Sequence, residues 1–244
     1  MDPEKTIFED FARFFESPSR KSLRRLLRTH MGETDQLDFK ADWPSLEKMA
    51  KHVIAIGNSG GGAVVLGVKE NGSDLVPEGI SDTKDKADIG NTLNKYIPAE
   101  LKYHVLDFPF QESEYSKLKG LIFQVIVIES NPLEVPYIPE RSSEEIEENR
   151  IYVRRSTSTA EANRQDLKTI VRTRVNAEIS SEAKKLGDEL DQLQTLYNYR
   201  ASSANPLIGG SIFGGTGFKS FVEKLIEEKQ SLIRDEIGLP LRAT

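Results

Sequence analysis

The 244-residue sequence predicts an α+β fold, a mixed sheet flanked by helices with helical extensions at both ends. Three observations predict it. Leu37-Asp38-Phe39-Lys40 alternates apolar and charged residues with the period of a strand. Ala63-Val64-Val65-Leu66-Gly67-Val68 is an apolar, β-branched run of the length of a buried strand. Between these segments, and again after Thr159, apolar residues recur at the three- and four-residue steps of a helix.

The elements follow in order. Ile7 to Phe15 has helical spacing, and Ser17-Pro18-Ser19 interrupts it. A second helix carries Leu23, Leu26 and Leu27 on one face and Arg20, Lys21, Arg24, Arg25 and Arg28 elsewhere. The early phenylalanines read as packing residues ahead of a base-stacking platform. Leu37 and Phe39 point inward, which leaves Asp38 and Lys40 on a wet face. Pro44 and Ser45 open a helix whose stripe is Leu46, Met49, Ala50, Val53, Ile54 and Gly57, and Gly60-Gly61-Gly62 ends it. Asn71-Gly72 is a turn signal.

Ile89, Leu93 and Ile97 mark a helix stopped at Pro98. Tyr103 to Phe108 and Leu121 to Ile128 read as strands, and Pro132 to Pro139 as an extended connection. Ser142 to Asn149 is an exposed acidic loop, and Ile151 to Arg155 a further strand. Thr159 is the expected N-cap of a helix reaching Arg200. In it Leu186, Leu190, Leu193 and Tyr197 form a short coiled-coil-like seam or the inner face of a helical hairpin. The expected organisation is a helical extension over 1–30, an α+β domain over 31–174, a helical segment over 175–200, a Gly/Ser-rich linker over 201–217 and an amphipathic helix over 218–244.

Composition narrows the function classes. Lys and Arg number 33 against 39 Asp and Glu, a net charge of -6, so nucleic-acid binding requires a local patch. Arg20 to Arg28 is one such patch or a solvated helix face, and Arg150 to Arg174 holds a second cluster. The chain has no cysteine, which excludes disulfides, thiolate zinc sites and cysteine nucleophiles and fits a cytoplasmic setting. No apolar run approaches 18 residues, so no membrane span is expected, and Met1 to Lys5 lacks the character of a secretory signal. Gly214-Gly215-Thr216-Gly217-Phe218-Lys219-Ser220 departs from a phosphate loop, because Phe218 stands where glycine must precede the lysine. His30, His52 and His104 are not at ligand spacing, and no nucleophile elbow is present.

The acids Glu33, Asp38 and Glu70 then stand out beside Lys40. Hard cations such as Mg2+ or Mn2+ take oxygen ligands, and these three carboxylates could supply them. Such a metal would polarise a phosphodiester, and Lys40 would neutralise charge in the transition state. The alternative is that these are ordinary charges on a solvated strand face.

Glu33 to Lys40, the helix end Ala55-Ile56-Gly57-Asn58-Ser59-Gly60-Gly61, the strand Val64 to Val68 and Ile151-Tyr152-Val153-Arg154-Arg155-Ser156 together resemble the Schlafen AlbA_2 domain, in the family's order, over about residues 31–168. The resemblance implies a nucleic-acid-binding fold. In some members it implies a divalent-metal endonuclease acting on structured RNA or single strands, with a prokaryotic defence role. The family's metal acids fall on Glu33, Asp38 and Glu70. Asp38 replaces the usual Glu, Glu70 the usual Asp, Lys69 a neighbouring acid and Ser156 a Gly. Vertebrate members have two lobes across a basic valley, and this chain has one, so the resemblance implies a homodimer or higher oligomer. The expected phosphate contacts are Arg24, Arg25, Arg28, Arg154, Arg155 and Arg164. Three functions are compatible with these residues: a metal-dependent nuclease on RNA or single-stranded DNA, a non-catalytic nucleic-acid-binding regulator, and a sensor subunit docking a protein partner through its C-terminal helices.

Overall fold

A computed structural model describes residues 3–28, 34–71, 74–111, 115–155, 157–203 and 218–236. The elements are α1 (Pro3–Glu16), α2 (Arg20–Arg28), β1 (Leu37–Lys40), α3 (Leu46–Asn58), β2 (Gly62–Leu66), β3 (Val68–Asn71), β4 (Asp74–Pro77), α4 (Lys86–Leu93), β5 (Lys102–Pro109), β6 (Ile122–Glu129), β7 (Tyr152–Arg155), β8 (Ser158–Glu161), α5 (Arg164–Ser203) and α6 (Phe218–Glu236). The fold is α+β, as the sequence predicts.

A four-stranded sheet in the order β1-β2-β6-β5 forms the centre, and β3-β4 and β7-β8 are separate two-stranded ribbons. β1 and β2 are parallel, with Asp38 opposite Val64 and Lys40 opposite Leu66. A parallel pair needs a crossover, and α3 supplies it. β6 runs antiparallel to both β2 and β5.

The sheet is buried on both faces. Val64, Leu66, Ile126 and Ile128 pack with Met49, Val53 and Ile54 of α3 and Ile89 and Leu93 of α4. On the other face Ala63, Val65, Val125 and Val127 pack with Leu37, Phe39, Phe14 of α1 and Leu23, Leu26 and Leu27 of α2. The early phenylalanines are packing residues, since Phe11 and Phe14 are buried. The N-terminal helices therefore close one layer of the core; each buried leucine contributes about 1.5–3 kcal/mol of transfer free energy.

Ser45 caps α3, its hydroxyl accepting from the Lys48 amide at 3.2 Å. Gly62 has φ +154°, and a Cβ there would strike the Gln36 carbonyl, the same oxygen that accepts from the Ala63 amide at 2.8 Å. Only glycine lets β2 leave α3 this close to β1. β3 and β4 pair antiparallel, with Glu70 opposite Leu75 and Asn71 opposite Asp74. The acidic segment after Arg141 is irregular, held by the Ser143 amide on the Ile146 carbonyl at 2.7 Å.

Several expectations change. α4 ends at Leu93, and its Asn94 amide bonds back to Gly90 and Thr92, so Ile97 lies beyond the helix. Thr159 is not a helix cap: it lies in β8, opposite Arg154. The cap is Asn163, whose Oδ1 accepts from the Gln165 and Asp166 amides at 2.8 and 3.0 Å, while Asp166 accepts from the Asn163 amide at 2.8 Å. That reciprocal pair is a capping box. α5 then spans Arg164–Ser203, close to the expected end at Arg200. Linker residues 204–217 lie outside the described residues.

The chain forms two compact units, Met1–Ala177 and Glu178–Thr244. In the second, Phe221 of α6 is buried and its ring stacks on Phe218 at 6.5 Å. Leu186 and Leu190 of the expected seam are 65% and 50% exposed, and the Tyr197 side chain lies outside the described residues. No described helix is long and apolar enough to cross a membrane.

Candidate nucleic-acid interface

Asp38 and Lys40 occupy successive positions on the α3 side of β1, opposite in direction to Leu37 and Phe39. That face is not wet at Asp38, whose side chain is 0% exposed. Its Oδ1 accepts from Lys40 Nζ at 2.7 Å and from Arg154 Nη2 at 3.1 Å. The Arg154 side chain is itself 0% exposed, and Lys40, at 28%, reaches solvent. A carboxylate and a guanidinium buried together must satisfy one another, because either alone in an apolar interior costs several kcal/mol.

The helix end Asn58-Ser59 positions this pair. Asn58 Oδ1 accepts from the Tyr137 amide at 2.7 Å, and its Nδ2 donates to the Tyr137 and Tyr152 carbonyls, each at 2.9 Å. Ser59 Oγ accepts from the Arg154 amide at 2.9 Å. Two adjacent side chains thus stitch β7 onto the end of α3 and hold Arg154 over Asp38.

His52, buried on α3, completes the cluster. Its Nδ1 pairs with Thr159 Oγ1 at 2.8 Å, and that hydroxyl also accepts from Arg154 Nη1 at 3.4 Å. Burial lowers the His52 pKa from the usual 6.5 to about 4; Asp38 opposes the shift, and Lys40 and Arg154 add to it. The imidazole is therefore neutral at pH 7.

The expected metal acids fare differently from one another. Glu33 lies outside the described residues. Glu70 is exposed on β3, and Val68 and Leu75, which share its hairpin face, pack with the α1/α2 core. Among the described residues no three acidic or imidazole groups come together where they could hold a metal ion. Asp38 already faces two cations, surroundings that disfavour a third positive charge. The described side chains alone do not fit Mg2+ or Mn2+.

The expected phosphate contacts also divide. Arg154 is inside the protein, so its guanidinium braces Asp38 and does not reach a surface phosphate. Arg155 is exposed yet clamps the start of α5: Nη2 meets Asp166 Oδ2 at 2.6 Å and the Glu161 carbonyl at 2.9 Å. Arg164, at the first turn of α5, is exposed.

Arg24, Arg25 and Arg28 lie on α2, together with Arg20 and Lys21. Residues 20–28 contain five cations and no acid. Because Leu23, Leu26 and Leu27 turn into the core, the cations face outward. Arg25 lies 3.7 Å from Asp10 of α1, and the Arg24 guanidinium stacks 3.6 Å over the Tyr115 ring.

Sequence reading gave no site role to Asn58, Ser59, His52, Thr159 or Gln124. Gln124 is fully buried: its Oε1 accepts from Trp43 Nε1 at 2.7 Å and the Lys84 amide at 3.1 Å, and its Nε2 donates to the Lys84 carbonyl and Asp107. The available signal was a polar residue at a position the periodicity assigns to the core, as with Asn58 four residues after Ile54 and Gln124 inside a buried strand.

The fold defines the class: an α+β domain with a mixed central sheet, a braced ion pair at the end of its parallel pair and a cationic helix laid on the opposite layer. The chain belongs to the Schlafen AlbA_2 family: the family model described as Schlafen, AlbA_2 matches residues 33–163, more than half of the chain. The family is one of nucleic-acid-binding and nuclease-type domains. No curated protein matches the chain. α1 and α2 lie before the matched residues, although they complete the domain's core.

Proposed function

We propose that this protein binds nucleic acid through the outward face of α2, and that the Asp38–Arg154 pair braces the domain that presents it. The supporting observation is the contrast between a chain of net charge -6 and a nine-residue helix with five cations and no acid, oriented outward by its buried leucines. Polyanion affinity follows such a local field more than the net charge. Fluorescence anisotropy of a labelled single-stranded RNA, repeated across salt concentrations, tests it. The logarithm of affinity falls linearly with the logarithm of salt, by about 0.7 per phosphate neutralised on a single strand. Absence of binding to single strands, duplexes and folded RNA at about 50 mM salt contradicts the proposal.

A second reading is catalytic: a metal-dependent endonuclease in which Lys40 is the charge stabiliser and Asp38, enclosed with two cations, positions Lys40 and does not ligate the ion. The position of Lys40 favours it, since its ammonium, held by the Asp38 carboxylate at 2.7 Å, is partly exposed where it could neutralise a phosphate oxygen. Its test is cleavage of tRNA or single-stranded substrate with Mn2+ against chelator, for wild type and Lys40→Met. Metal-dependent cleavage that Lys40→Met abolishes in a protein that still unfolds cooperatively supports it. Cleavage untouched by Lys40→Met removes the role assigned to Lys40.

The exposed Leu186 and Leu190 offer a seam for a second copy of the chain. Light scattering that reports a dimer in wild type and a monomer in Leu186→Glu supports that assembly; a wild-type monomer excludes it.

A further inference from the structure

We infer that the pocket formed by α2, the β3-β4 hairpin and the turn after Tyr115 takes one unpaired nucleotide of a single strand, a specificity that rests on the nucleic-acid-binding reading above. The cavity measures about 530 Å³ and is lined by Arg24, Leu27, Arg28, Leu75, Pro77, Tyr115 and the backbone turn through Leu118. Small-molecule sites run from about 300 to 1,000 Å³, so the space suits one nucleotide.

Its chemistry has three parts. Leu27, Leu75 and Leu118 are buried and give an apolar floor. Tyr115 gives an aromatic wall, set edge-on to Phe110 at 6.0 Å and already covered on one side by the Arg24 guanidinium at 3.6 Å. Arg28 and Lys117, both exposed, give cations at the rim. An apolar floor with a planar aromatic–guanidinium stack is how unstacked bases are held, and cations at the mouth suit the phosphate. A duplex buries its base faces and can use only the cations.

The surroundings separate this pocket from the other clefts. In the neighbouring cleft between α1 and α2, Glu9 and Asp10 are present, and Asp10 lies within 3.8 Å of Arg13 and 3.7 Å of Arg25. A larger cleft, about 1,060 Å³ beside β5, contains Glu140 among its lysines and Arg141. In the Tyr115 pocket three cations and no carboxylate appear among the described lining residues. Among the described lining residues no carboxylate offsets these cations, and an anionic ligand would complement them. Arg24, Leu27 and Arg28 precede the family-matched segment, whereas Leu75, Pro77 and Tyr115 lie within it. The N-terminal helices thus build a composite site on the family domain.

The test uses the full-length chain. Affinities are measured by anisotropy for a labelled 12-nucleotide uridine RNA, the matching deoxythymidine strand and a blunt duplex of similar charge, with unlabelled uridine monophosphate as competitor. Tyr115→Leu keeps an apolar side chain against Phe110 but removes the π face, and its melting temperature reports folding. It is expected to weaken single-strand affinity about 5- to 150-fold, the range for loss of one base–aromatic stack. Duplex affinity and the salt slope stay as in wild type, because stacking releases no counterions. Arg28→Ala is expected to lower the salt slope on both strand types by about one.

Competition by uridine monophosphate locates recognition in the single nucleotide unit. Weakening of RNA alone or DNA alone identifies the sugar preferred. If Tyr115→Leu folds normally and weakens single strand and duplex equally, or neither, the nucleotide pocket is overturned while the α2 interface stands. If wild type binds no nucleic acid, both fall. Tighter binding of an acidic peptide than of any strand also overturns the assignment.

Discussion

Arg154 and Arg28 carry the same guanidinium and meet opposite surroundings. Arg154 is enclosed, hydrogen-bonded to Asp38 and Thr159, and fixed through its amide to Ser59. Arg28 is exposed on a helix without acids, at the rim of a pocket without described carboxylates. Position in the fold, more than residue type, decides what a cation does. Enclosed beside an anion it holds two elements together; exposed without one it attracts a polyanion.

The largest expected effect comes from breaking the enclosed pair. Arg154→Ala removes the guanidinium 3.1 Å from the buried Asp38 carboxylate and should cost about 3–5 kcal/mol in chemical denaturation. The double variant Asp38→Leu/Arg154→Met should recover most of that loss, since an apolar pair of similar volume avoids the desolvation cost. An Arg154→Ala protein as stable as wild type would mean that the pair does not brace the domain.

Next in size is a pH effect from the same cluster. The folded pKa of His52, about 4, lies below the unfolded value of 6.5. The unfolded chain therefore takes up the proton first as pH falls. The stability this histidine contributes is complete above pH 6.5 and declines by roughly 3 kcal/mol as pH falls to 4. Urea denaturation of wild type and His52→Gln across that window should show a shallower slope in the variant. Parallel curves would place the titration elsewhere.

The smallest effect belongs to the intermediate case, the exposed Arg155–Asp166 pair. Arg155→Gln should cost no more than about 1 kcal/mol and leave nucleic-acid affinity unchanged, because its guanidinium is engaged by Asp166 and the Glu161 carbonyl. A marked loss of affinity with stability intact would instead return Arg155 to the contact surface.

These contrasts explain which parts of the molecule were legible in its sequence. The period-two pattern of Leu37 to Lys40 and the period-3.6 stripe of α3 identified both elements, because each side chain's direction follows from local geometry. The same pattern read Asp38 as solvent-facing. A two-residue period says which side of a strand a residue occupies, but not what covers that side, and here Arg154, 116 positions later, covers it. Asn58 was part of a recognised helix end, yet its partners Tyr137 and Tyr152 come from distant segments and no local rule names them. Thr159 has a cap's chemistry, but Asn163 with Asp166 makes a reciprocal cap and β8 pairing takes Thr159. The arginines of α2 were legible as a cluster. Their outward orientation came from the buried leucines, and their pocket only from the packing of α2 beside the β3-β4 hairpin.

The central claim is that α2 supplies the contact surface and the Asp38 cluster does not. Single-strand affinity of Arg24→Glu/Arg28→Glu, measured beside its melting temperature, tests it most directly. The double variant should lose at least about tenfold in affinity at low salt, with the salt slope reduced by roughly two and the melting temperature nearly unchanged. Affinity and slope equal to wild type in a folded double variant would contradict it.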